Sequence, residues 1–228
     1  APSHRCPHHS ADPSHDGFAL VCTKGRNLVG VIAHIQEIEA YVCQHFGDWD
    51  LDAPIEEGYF AKCEEIAGAE DEDSRNFEED FQITLTNDVK ALYRYKNGSG
   101  FFCILPACIR ERERPLSLMS LQEIEHIKEY FQNRDTLLTD FLDFFSGADI
   151  EAMRDDWLNP YLFHRKQIPF AQYCVRCYLI LDFAPGDAGA DGQIICYIHD
   201  HDEGVYVASS ISNLIADIRE EISSEVDV

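Results

Sequence analysis

QIPFAQYCVRCYLILDFAPGDAGADGQIICYIHDHDEGVYVASS, residues 167–210, decides the fold class. Its β-branched and aromatic runs are short: QIPFAQ, CVRCYLILDF, QIICYIH and GVYVAS, parted by turn-rich connectors, above all APGDAGADG at 184–192. Short apolar runs between Gly, Asp and Pro clusters predict antiparallel strands joined by hairpins. Ser210 then caps a last amphipathic helix with Ile211, Leu214, Ile215, Ile218 and Ile222 on one face.

Upstream the period is helical. Apolar positions from Leu28 to Phe46 stop at Gly47, a second helix is expected from about Asp52 and Pro54, and Thr86 caps a third that buries Val89, Leu92 and Tyr93 before Gly98. GFFCIL (100–105) and Pro115 to Met119 read as strands, and Ser120 with Glu123 forms a capping box for the next helix. TLLTDFLDFFSG is expected to continue helically to Gly147, with a short helix over Asp149 to Trp157. Helices, two strands, helices, four strands and a helix make an α+β class, a mostly antiparallel sheet of about six strands packed with helices.

Residues 1–26 hold four prolines and glycines in their first 17 positions without periodicity and read as a flexible His/Cys-containing arm; 27–228 read as one domain. Within that domain GAEDEDSRNFEED places seven acids and one arginine at 70–80, so 69–80 is expected to be a solvated acidic insertion.

The 228 residues carry 18 Lys+Arg against 42 Asp+Glu, a net charge of −24, and 45% hydrophobic residues. The arm sums to +1 (Arg5, Lys24 and Arg26 against Asp12 and Asp16), which leaves −25 for the folded body. Such a surface repels phosphate and anionic lipid, which excludes nucleic acid and membrane surface as direct partners. Nine cysteines, an odd number spread over the chain and partly inside apolar runs, fit free thiols in a reducing cytoplasm; no leader pattern opens the sequence.

Few residues nominate chemistry. His4, Cys6, His8, His9, His15 and Cys22 are metal-ligating types without a known spacing. Cys174 and Cys177 spell CxxC, but strand residues three apart face opposite ways, so one buried thiol and one near the surface is the better reading. His199, Asp200, His201, Asp202 and Glu203 could bind a metal at a hairpin tip, where polar residues are expected in any case. There is no GxSxG, P-loop or GxGxxG. No metal, cofactor or catalytic residue is assigned; a metal-dependent enzyme using HDHDE or the arm stays as a third reading.

The order of a few anchors is more specific. LTNDVKALYRYKNG (85–98) resembles the Leu-Pro-x-Asp…Leu-Tyr…Asn-Gly helix of the Smi/Knr-type proteins, the SUKH superfamily, with Thr86 in place of the proline. Trp157, then Ile168 to Ala171, Leu181, Asp182 and Pro185, Gly192 and Gln193, and Ala208 to Leu214 repeat that family's order over about residues 55–222. Leu85, Leu92, Gly98, Trp157, Pro169, Phe170, Asp182, Pro185, Gly192, Gln193 and Ser209 are expected to serve the fold first: Trp157 between sheet and helices, Asp182 as acceptor of N–H groups from the 184–192 turn.

The resemblance implies a SUKH-like fold and two non-enzymatic roles. Bacterial members are commonly immunity proteins that neutralise a cognate toxin, often a nuclease; fungal members are regulatory scaffolds. An acidic inhibitor suits a toxin with a basic surface. The expected contacts are Glu70, Asp71, Glu72, Asp73, Glu78, Glu79 and Asp80 with Glu123, Glu125 and Glu129.

Overall fold

In the computed structural model, which describes residues 27–45, 59–110, 112–131, 135–153, 157–174, 176–199 and 203–226, the run quoted above forms most of one six-stranded sheet. The His/Cys arm at 1–26, the expected start of the second helix at Asp52, and Asp200 to Asp202 lie outside the described residues.

The helices are α1 (Asn27–His45), α2 (Tyr59–Glu64), α3 (Asp71–Phe81), α4 (Asn87–Tyr95), α5 (Leu121–Tyr130), α6 (Gly147–Met153) and α7 (Ile211–Val226). The strands are β1 (Cys103–Ile109), β2 (Arg112–Leu118), β3 (Thr136–Leu137), β4 (Tyr161–Phe163), β5 (Gln167–Tyr173), β6 (Cys177–Asp182), β7 (Gln193–Ile198) and β8 (Glu203–Ala208). The main sheet runs β1-β2-β5-β6-β7-β8, antiparallel throughout, while β3 and β4 pair separately. This is the α+β architecture, with a six-stranded antiparallel sheet, that the order of elements implies.

Strands β6 and β7 are buried along their whole length, so no polar alternation marks them. α1 puts Val31, Ile35, Ile38 and Val42 into the core and packs on α7 and α4; α7 covers β1, β7 and β8. Thr86 caps α4 through a bond from the Val89 amide (3.4 Å), and Ser120 and Glu123 close their box at 3.1 and 2.6 Å. No described helix is long and apolar enough to cross a membrane.

Three local expectations fail. The 69–80 stretch is not a solvated insertion: Ser74, Phe77 and Phe81, spaced three and four apart, bury one face and make it helix α3. Burial of two phenylalanines, at about 2 kcal/mol each, outweighs repulsion among surface acids. TLLTDFLDFFSG does not continue a helix; it gives β3, a 3₁₀ turn at Leu138–Phe141 and a reversal that leaves Leu142 and Phe144 exposed. Cys174 and Arg176 belong to the β5–β6 turn rather than to a strand, with Cys174 at φ 49°.

Trp157 departs as well, lying 42% exposed against Tyr206 (ring centroids 4.9 Å apart) instead of between sheet and helices. Nor are all thiols free: Cys43, Cys63, Cys103, Cys174, Cys177 and Cys196 are, but Cys108 is disulfide-bonded.

Candidate partner-binding surface

The acids named in sequence fall into two groups once α3 is a helix. Its first turn carries Asp71, Glu72 and Asp73, where negative charge suits the helix dipole; its last turn has no base, so Glu78, Glu79 and Asp80 oppose it. Two ion pairs to α4 compensate. Asp71 meets Arg94 at 2.6 Å, and this hydrogen bond holds the Asp71 carboxyl below its ordinary range. Glu78 meets Lys90 at 2.8 Å and also accepts the Leu85 amide at 2.7 Å. Asp73 accepts the Glu70 amide (2.9 Å), and Glu123 accepts the Ser120 amide. Asp71, Asp73, Glu78 and Glu123 therefore hold the fold.

Glu72, Glu79 and Asp80 on α3, and Glu125 and Glu129 on α5, are exposed, and none forms an ion pair with a described residue. Glu70 is exposed at the start of the same helix. α3 packs against α5, so the structure brings the two acidic segments side by side. Lys128, between Glu125 and Glu129 on α5, points inward: its Nζ donates to the carbonyls of His164 (3.0 Å), Arg165 (3.0 Å) and Gln167 (2.8 Å). Burial pushes that ammonium down to about 8. Nothing in its sequence position, an i+4 neighbour of Ile124, distinguishes it from a surface lysine.

A second surface was missed in sequence because the segment was read as helix. After the 3₁₀ turn, Leu142 is 65% and Phe144 83% exposed, with Asp140 and Asp143 beside them. Two large apolar side chains standing out of an acidic rim have the form of a contact anchor.

The anchor residues converge elsewhere. Asp182 Oδ1 accepts the Ala184 amide at 3.0 Å, and Oδ2 accepts Gln193 Nε2 at 3.1 Å. Gln193 Nε2 also reaches the Trp157 carbonyl (2.8 Å), and Asn159 Nδ2 donates to the carbonyls of Ala184 and Pro185 (3.0 and 2.7 Å). The Gly192 amide bonds the Asp182 carbonyl (2.8 Å) from φ 82°, a conformation that favours glycine. Burial raises the Asp182 carboxyl, and the bonds from Ala184 and Gln193 oppose the rise. Gly98, at φ 88°, lies so close to Ser120 that a Cβ would stand 2.7 Å from its backbone nitrogen. Leu85, Leu92, Pro169 and Phe170 are buried, and Ser209 is exposed at the start of α7. Asp182, Gly192, Gln193 and Asn159 knot the 184–192 turn to the sheet.

Among the described residues no group of three or more His, Cys, Asp or Glu is placed to hold a metal ion. Of the hairpin tip only His199 has a described side chain, exposed and 3.5 Å from the Tyr197 hydroxyl. A cavity of about 480 Å³ lies between α1, α2 and β1, but Lys96 and Glu39 on its wall pair with each other at 2.7 Å.

A model of the SMI1 / KNR4 family (SUKH-1) matches residues 68–217, which begins just before α3 and ends inside α7. The acidic helix thus lies within the matched region. No curated protein matches the chain.

Proposed function

Because the chain belongs to the SMI1 / KNR4 family (SUKH-1), we propose that it is a non-catalytic immunity protein that binds a cognate antibacterial toxin, a nuclease by preference, in the cytoplasm of the cell it protects. One observation carries the reading: on the packed helices α3 and α5 five exposed acids form no ion pair with a described residue, while Lys128, next to Glu129 in sequence, is turned inward. A nuclease holds phosphate with a basic site, and an acidic protein can occupy that site and be steered to it at low salt. The exposed pair Leu142 and Phe144 supplies an apolar anchor of the kind that dominates interface energies.

The regulatory-scaffold role is the second reading, favoured by the extra helices α1 and α2 that precede the matched region. Co-expression with the product of the adjacent gene, followed by pull-down and a growth assay, tests the first. Protection from toxicity and a stoichiometric complex are expected. A non-toxic neighbour that does not co-purify, with many unrelated partners captured instead, overturns it in favour of the scaffold.

A further inference from the structure

The CxxC is split by the fold. Cys174 is exposed in the β5–β6 turn, whereas Cys177 opens β6 and is buried. Its near neighbour is not Cys174 but Cys196 on β7. Cys177 is opposite Ile198 and Leu179 is opposite Cys196, so the two cysteines are diagonal neighbours two positions apart on one face. Their sulfurs are 3.2 Å apart, both side chains fully buried. A disulfide needs about 2.05 Å, so closure requires the two side chains to approach by only about 1.2 Å together.

A third group acts on the pair through its charge. Arg114 on β2 has its Nε buried without a hydrogen-bond partner, and its charge acts on both sulfurs. The hydrogen bond from Cys196 lowers the Cys177 thiol, burial opposes this, and Arg114 adds to the lowering. A nearby guanidinium charge favours a transient thiolate at one of two touching thiols.

We propose that Cys177 and Cys196 form a reversible intramolecular disulfide when the protein meets a peroxide, with Arg114 holding the reacting thiolate. Cys177 as thiolate attacks one peroxide oxygen, the O–O bond breaks, and the other oxygen leaves as hydroxide and takes up a proton to become water. The Cys196 sulfur then attacks the sulfenic sulfur, the S–O bond breaks, and the leaving hydroxide takes the Cys196 proton as a second water. Peroxide gains two electrons and the two thiols lose two. Because β6 and β7 are already paired, the bond leaves the topology unchanged and staples the hairpin that presents the 184–192 turn.

The test is peptide mapping of the full chain treated with hydrogen peroxide and then alkylated under denaturing conditions. Cleavage before aspartate separates the two cysteines, since Asp182, Asp187 and Asp191 lie between them. The expected product is a Cys177–Cys196 linked peptide pair, about 2 Da lighter than the two free peptides and lost on reduction. Cys174→Ser should keep the link, Cys196→Ser should abolish it, and Arg114→Gln should slow its formation several-fold. The reduced and oxidised forms should differ in thermal midpoint, the oxidised one higher. A Cys174–Cys177 link, or Cys177 and Cys196 both fully alkylated while exposed thiols are oxidised, overturns the proposal. If Cys196→Ser does not fold, the wild-type map alone decides.

Discussion

On α3 and α5, Glu72, Glu79, Asp80, Glu125 and Glu129 face water and form no ion pair with a described residue, whereas Lys96, Lys128 and Asp182 sit inside with nearly every polar atom engaged. Each of these three interior charges is surrounded by partners. Lys96 donates to the Cys63 carbonyl (3.0 Å) and pairs with Glu39; burial alone would lower its pKa, and the Glu39 carboxylate holds it raised. Lys128 has three carbonyl dipoles and the Phe81 ring around it, and burial, which the Asp135 carboxylate only partly offsets, pushes it down instead. A full countercharge and three dipoles are not equivalent, and only the first keeps an ammonium firmly protonated in a dry site.

The contrast sets an order of expected effects. Lys128→Met, which keeps the stem but strands three carbonyls, should cost about 3 kcal/mol by chemical denaturation; a loss under about 1 kcal/mol would mean the carbonyls find water. The same pair of proteins carries a pH signature. The Lys128 ammonium titrates near 8 folded and near 10.5 unfolded, so between those values the unfolded chain binds more protons and this residue's contribution to stability rises with pH. The gap between wild type and Lys128→Met should therefore widen in favour of wild type from pH 8 towards 10. A gap that stays constant would place the folded pKa outside that window.

Asp182→Ala should cost about 2 kcal/mol, since the Ala184 amide and Gln193 Nε2 lose their acceptor while remaining buried. Amide exchange should rise across the 184–192 turn; exchange unchanged there would remove Asp182 from its assigned role. Glu78→Ala, half-buried and tied to Lys90 and Leu85, should cost about 1 kcal/mol. Neutralising Glu72, Glu79 and Asp80 together should change stability by less than about 0.5 kcal/mol, with a slight gain from unburdening the last helical turn. That triple variant should nonetheless slow association with a basic partner on the order of tenfold at low salt. An unchanged association rate at low salt would move the contact surface away from α3.

What could be read in sequence follows from local chemistry. The capping residues Thr86 and Ser120, the 184–192 turn and the period of α7 are short-range signals, and each sits where its pattern implies. The anchors Asp182, Gly192 and Gln193 also have their reason in the nearby turn, though Gln193 reaching the Trp157 carbonyl joins residues 36 apart. The acidic stretch misled because charge density is conspicuous and two phenylalanines among eleven helical residues are not. TLLTDFLDFFSG misled for the opposite reason: its apolar residues fit a helical face, but no packing surface awaits Leu142 and Phe144, and the chain reverses.

By itself the sequence determined the net charge, the antiparallel class, the family resemblance and the helix caps, because composition, turn-rich connectors between short apolar runs, and capping act within a few residues. Only the tertiary structure decided which acids are spent on Arg94, Lys90 and backbone amides and which remain outside, that Lys128 turns inward, and that Cys177 meets Cys196 instead of Cys174. Those outcomes depend on which elements lie across from one another, and a side chain's partner across a fold leaves no mark on its own neighbours in the chain.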